Sequence, residues 1–126
     1  SPTGGTKGAK KASKYPYFEV DKDWIGKVGW SKKHHEEYRH YAPISAAIAL
    51  AGHIDRTQKP GRVWSVNDLG DVIDPEAGET MPSYQLYLVI AWMRSADLLT
   101  KQGRSGYVAV GGGTLLPGVK KALKAA

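Results

Sequence analysis

The chain has no cysteine in its 126 residues, which excludes a disulfide-stapled scaffold, a thiol nucleophile, an iron–sulfur cluster and any thiolate zinc site. It also has no run approaching the ~20 apolar residues that span a bilayer. Its opening stretch, SPTGGTKGAKK, lacks the apolar core of a signal peptide. The expectation from these absences is an intracellular protein, in cytoplasm, nucleoid or nucleus, with no membrane contact. Residues 41–54 and 81–93 contain no Asp, Glu, Lys or Arg. Such segments belong in an interior. A composition of 41% hydrophobic and 24% charged residues is that of one small globular domain able to bury a core.

The charge that is present is unevenly placed. Eighteen Lys and Arg against twelve Asp and Glu leave a formal +6, and this positive balance favours an acidic partner, most often nucleic acid. Lys7, Lys10, Lys11 and Lys14 stand without an acid among Gly, Ala, Ser and Thr, a composition that reads as a flexible basic tail over 1–14. Such a tail either solubilises the protein or contacts phosphates without regard to sequence. Between 55 and 80 the sign reverses, six acids facing Arg56, Lys59 and Arg62. From 94 onward Arg94, Lys101, Arg104, Lys120, Lys121 and Lys124 face only Asp97. Both ends are basic and the middle is acidic.

Periodicity supplies the elements. Tyr15, Tyr17, Phe18, Trp24 and Trp30 alternate with charged residues and predict an extended aromatic arm, with a short helix begun at Asp21 or Asp23. Lys32 to Arg39 contains good helix formers after Ser31, which predicts a polar helix ending near Ala42, before Pro43. Ile44, Ala47, Ile48 and Ala51 recur at i, i+3, i+4 and i+7, predicting a buried helix to about Arg56. Trp64 is short extended chain, and Ser65-Val66-Asn67-Asp68 fits a capping box opening a helix to about Ile73, with Val66, Leu69, Val72 and Ile73 inward. Asp74 to Glu79 reads as a loop. Leu86, Val89, Ile90 and Met93 predict a long helix from Ser83 to about Asp97. Two β-prone runs, 98–100 and 107–110, flank Lys101-Gln102-Gly103-Arg104-Ser105-Gly106, a hairpin turn with basic side chains. Gly111 to Gly113 then reads as a linker to a short exposed basic helix over 117–126.

This order over residues 43–110, and the run Met93 to Val108 in particular, resembles the winged helix-turn-helix superfamily. The resemblance implies an α+β, mainly helical fold, a three-helix core with a C-terminal β-hairpin wing, here carrying an N-terminal aromatic arm (15–42), basic tails and a C-terminal extension (111–126). It implies double-stranded DNA as partner. Ser83, Tyr84, Gln85 and Tyr87 would begin the recognition helix, with Arg94 further along, and Lys101 and Arg104 would contact phosphate from the wing. Lys7, Lys10, Lys11 and Lys14 would add salt-sensitive affinity.

The presumed recognition helix has no Lys or Arg before Arg94, and its outer residues, Tyr84, Tyr87, Leu88 and Ala91, are largely apolar. A helix apolar on both faces is usually buried on both. This motivates a second expectation, a protein-interaction or homodimerisation face at Tyr87 and Leu88. A third is RNA or single-strand binding by stacking on Tyr15, Tyr17, Phe18 and Trp24.

His34, His35, His40 and His53 invite a metal reading, but His35 and His40 lie five apart where a shared helical face needs four. Gly111-Gly112-Gly113-Thr114 lacks phosphate-loop spacing. No metal, no cofactor and no catalytic residue is expected, so the chain does not read as an enzyme.

Overall fold

A computed structural model describes residues 15–125 of the chain. The basic tail, with Lys7, Lys10, Lys11 and Lys14, lies outside the described residues. The described chain opens with an antiparallel meander, β1 (Tyr17–Val20), β2 (Trp24–Ser31) and β3 (Glu36–Pro43), ordered β1-β2-β3. It passes without a loop into α1 (Ile44–Thr57). Then come β4 (Trp64–Ser65), the single turn α2 (Val66–Leu69), the hairpin β5 (Ile73–Asp74) and β6 (Glu79–Thr80), and α3 (Ser83–Ser95). β7 (Leu99–Gln102) and β8 (Gly106–Ala109) form a second hairpin, joined by β4 into a three-stranded sheet of order β4-β8-β7. A 3₁₀ turn (Val110–Gly112) leads to α4 (Leu116–Ala125).

α1 organises the rest. Its uncharged sequence lets Ala46, Ala47, Leu50, Ala51 and Ile54 go fully inside, and burying a Leu or Ile side chain contributes about 1.5–3 kcal/mol. The alanines keep its neighbours close. Polar side chains at its rim then fasten those neighbours. The Ile44 N–H donates to the Asp23 carbonyl in the β1–β2 turn at 3.0 Å. His53 Nε2 lies 2.6 Å from the Leu69 carbonyl, so that nitrogen carries the proton and donates to the last residue of α2. Both Asp55 carboxylate oxygens accept backbone N–H groups, from Leu115 at 2.8 Å and Leu116 at 2.9 Å. A negative charge thus sits at the start of α4, where free N–H groups and the helix dipole favour it. Val119 completes that contact by being fully buried.

The expected winged helix, a three-helix core with a C-terminal hairpin wing, is not what the chain forms. It is an α+β fold with four helices among the described residues, one of them a single turn, and a three-stranded antiparallel meander at its N-terminal end. The 98–110 hairpin exists, but α4 follows it and docks on α1. The helix expected to run to Ile73 stops at Leu69 because Gly70 takes φ +64, a left-handed conformation that glycine adopts at no steric cost. The Ser65–Asp68 capping box does close, with the Ser65 N–H donating to Asp68 Oδ2 at 2.8 Å. Ile73, expected inward, is 51% exposed on β5.

The largest difference lies in residues 15–42. The aromatic arm and polar helix are instead the meander. Local helix propensity over 32–39 loses to cross-strand pairing, since β3 pairs with β2 along its whole length, Trp24 opposite Pro43 through Ser31 opposite Glu36. Gly29 stands opposite Tyr38, and a Cβ there would fall 2.2 Å from the Tyr38 ring. The glycine makes room for the ring. Ser31 Oγ accepts the His34 N–H at 3.1 Å, and His35 takes φ +53, closing the turn between the strands.

Asp74 is 1% exposed and has no ion pair among the described residues. Its Oδ2 accepts from Ser45 Oγ at 2.8 Å and its Oδ1 from the Glu76 N–H at 3.0 Å. It therefore holds the β5–β6 hairpin against the first turn of α1. Asp74→Ala is expected to lower stability by about 1–3 kcal/mol, the cost of stranding buried hydrogen-bonding groups. Asp74→Asn, which keeps an acceptor for the Glu76 N–H, is expected to cost less; urea unfolding followed by tryptophan fluorescence compares them.

Candidate functional site

β3 is an edge strand: it pairs with β2 on one side and with no other described strand. Because strand side chains alternate, the meander has two faces. Ile25 and Ala42, paired across β2 and β3, are buried in the core, with Phe18 and Val20 of β1 packed against it. Lys27 and His40, the next same-face pair along, continue this face toward the β2–β3 turn. The opposite face carries Trp24, Arg39 and Tyr41, with the Trp24 and Tyr41 rings edge to face at 4.6 Å.

α3 packs beneath the meander, and this juxtaposition creates a groove of about 660 Å³ lined by Lys27, Arg39, His40, Tyr41, Tyr84, Tyr87 and Leu88. Tyr84 is 57% exposed, Tyr87 53% and Tyr41 45%. Leu88, one helical turn on from Tyr84, is only 3% exposed and forms part of the groove's floor. A second depression, lined by Lys27, Ser31, His34, Glu36, Tyr38 and His40, shares Lys27 and His40 with the first and extends it toward the β2–β3 turn. The result is one strip of tyrosine rings interleaved with cationic groups. Rings present flat apolar faces and cations present point charges, so the strip suits a ligand that is both planar and anionic.

The charges differ in freedom. Arg39 lies 3.4 Å from Glu19 and 3.4 Å from Glu37. Its hydrogen bond to Glu19 leads the causes that raise its pKa above the ordinary value. Arg39 is thus tethered and partly neutralised by its own sheet, while Lys27 makes no ion pair among the described residues. Lys27 is the cation best able to meet an incoming anion.

Comparison with known protein families, curated proteins and solved structures gives no match. The functional reading therefore stands on this geometry.

The structure brings some of the anticipated residues together. Tyr84, Tyr87 and Leu88 share the groove, and Ser83 is exposed beside them at the start of α3. Gln85 is half-buried, and its side-chain amide donates to Tyr84 Oη at 3.3 Å. Arg94, Lys101 and Arg104 are exposed, at the end of α3 and on the β7–β8 hairpin, and do not line the groove. The rings anticipated for stacking are differently engaged: Phe18 packs on the core, Trp24 on Tyr41, and Tyr15 stacks on Trp30 at 5.7 Å. The sequence reading missed Lys27, Arg39 and Tyr41, and weighed His40 only as a metal ligand, because it placed residues 15–30 in an extended arm and 32–42 on a helix. The available signal was Gly26 and Gly29, spaced to receive Tyr41 and Tyr38 from a neighbouring strand.

At the turn end of the sheet, Tyr15 Oη donates to Glu37 Oε2 at 2.6 Å. That bond, above all, pushes the Tyr15 pKa from 10.0 up to about 12, because it favours the protonated phenol. A raised pKa means the contribution is complete below the unfolded value near 10 and is lost as pH rises through about 12. Glu37→Gln is expected to bring the Tyr15 titration back toward its ordinary value and to flatten the dependence of stability on pH in that window. Tyrosinate absorbance and thermal melts across the alkaline range check both.

Proposed function

We propose that the chain binds single-stranded nucleic acid along the groove between β3 and α3. The observation that carries this reading is the convergence of exposed Tyr84 and Tyr87 with Lys27 and His40 in one open groove, which Arg39 and Tyr41 line from the edge of β3. Proteins that take single strands combine a cationic track with rings on which successive bases stack, because every base has a π-face and every nucleotide a phosphate. The depression toward Tyr38 and His34 lengthens the track. At ~3.3 Å per residue, the eight residues of β3 give it an edge of about 26 Å. The formal +6 of the whole chain favours the same class of partner.

Duplex reading by the helix that starts at Ser83 has less support. A helix entering a major groove needs a wide free face, whereas Leu86, Leu88, Val89, Ile90, Trp92 and Met93 of α3 are buried. What remains open is a narrow stripe led by two tyrosines, which suits stacking better than base-edge hydrogen bonding.

The proposed site predicts tighter binding to random single strands than to random duplex at equal salt. Tyr84→Ala and Tyr87→Ala are each expected to weaken single-strand binding about tenfold, in keeping with ~1–3 kcal/mol per stacked base. Lys27→Ala is expected to reduce the log–log salt slope by about 0.7, one phosphate contact on a single strand. Fluorescence-anisotropy titrations over a salt series measure all three. Equal affinity for both polymers, or tyrosine variants that bind like wild type, would remove the reading.

A further inference from the structure

A further depression, of about 420 Å³, adjoins the groove at the end of β3 that leads into α1. It is lined by Asp23, Trp24, Tyr41, Ala42 and Pro43, and Tyr41 belongs both to it and to the groove beside α3. The two rings settle close to Gly26, where a Cβ would fall 3.1 Å from Tyr41 and 3.2 Å from Trp24. They meet edge to face, an arrangement in which the ring that supplies its edge keeps its own faces uncovered by the partner. Asp23 is held by its backbone, its carbonyl accepting the Ile44 N–H at 3.0 Å. Its side chain is exposed and forms no ion pair among the described residues.

The charge reverses along this path. From the β2–β3 turn to the middle, Lys27, His34, Arg39 and His40 line it against Glu36 alone. At the α1 end the lining holds the Asp23 carboxylate and no cation, not even the neighbouring Lys22.

We infer that this depression receives the 3′-terminal nucleotide of an RNA strand whose preceding nucleotides lie in the groove, an inference that rests on the single-strand reading of that groove. Within a strand every sugar has a phosphate on both sides, and a phosphate beside Asp23 is repelled. A strand end without phosphate is not. The 3′-terminal ribose presents two neighbouring hydroxyls, both able to donate, and an ionised carboxylate presents two acceptor oxygens and no donor. The phosphate on the 5′ side of that nucleotide points back to the cations of the groove. Its base stacks on the Trp24 and Tyr41 pair, as unpaired bases do on aromatic side chains. Because the 2′-hydroxyl distinguishes RNA from DNA, the same contact sets a preference for RNA.

Competition anisotropy at fixed salt tests the inference with the full chain and one RNA sequence prepared with a 3′-hydroxyl, with a 3′-phosphate, with a 5′-phosphate, and as a closed circle. The 3′-phosphate is expected to weaken binding about tenfold through like-charge contact with Asp23, although added negative charge strengthens binding to a merely cationic surface. The 5′-phosphate is expected to cause no loss. Asp23→Asn is expected to abolish the discrimination against the 3′-phosphate. Trp24→Ala is expected to weaken the linear 3′-hydroxyl strand about tenfold, the loss of one stacked base, and to leave the circle unchanged, which also shows that the variant is folded. Equal binding of the 3′-hydroxyl and 3′-phosphate forms, discrimination at the 5′ end instead, or discrimination that survives Asp23→Asn each overturns the inference while the groove reading stands. Failure to bind any of the forms, the circle included, overturns both.

Discussion

Burial of α1 is the constraint on which the other elements depend. Eleven consecutive residues after Pro43 carry no charge, so the segment reaches low free energy only when covered on most of its sides. Small side chains on it make that covering possible at close range, and the chain supplies cover from the meander, α3, the β5–β6 hairpin and α4. The polar contacts at its edge then select among ways of covering it. Ser45 through Asp74, His53 through the Leu69 carbonyl and Asp55 through the start of α4 each tie a different neighbour in one orientation. Each of those hydrogen bonds satisfies groups that would otherwise be costly to bury, so the apolar and polar requirements point to the same arrangement.

The meander follows from the same economy of space. Its Ile25–Ala42 end lies on the core, whereas its Lys27–His40 end runs past the covered region into solvent. A sheet that is half covered must change character along its length, apolar where it meets α3 and polar where it leaves it. The groove lies at that change. α3 is similarly divided: its buried residues hold it in place, and the stripe of Tyr84 and Tyr87 that the sheet leaves open becomes one wall. Packing thus generates a surface of rings and cations that no single element has on its own. β3 remains an edge whose charged residues, Glu36, Glu37 and Arg39, discourage uncontrolled strand addition.

Much of the fold was legible in the sequence where one pattern dominated. α1 and α3 announced themselves through apolar residues at helical spacing, the 98–110 hairpin through glycines between β-prone runs, and the start of α2 through its capping box. The largest failure has a long-range cause. Residues 31–42 combine Lys, His, Glu, Tyr and Arg, which tolerate helix and strand alike, and the deciding partners are Gly26 and Gly29, which lie on the preceding strand, outside the segment whose rings they accommodate. Gly70 ended α2 early for a local reason that was available but outweighed in the reading by the apolar residues beyond it. The resemblance to a winged helix arose because element order is one-dimensional, while the meander and α4 alter what surrounds those elements.

By itself the sequence determined the uncharged helices, the basic ends, the absence of thiol chemistry and the tyrosine-rich character of α3, because each depends on residue type and near-neighbour spacing. Only the tertiary structure decided that Lys27 and His40 line one groove with Tyr84 and Tyr87, and that Arg56 and Glu76 line another. Those relations join residues 20 to more than 40 positions apart. They come from long-range strand pairing and from the docking of hairpins onto α1, whose free energy resides in contacts that a linear pattern does not contain.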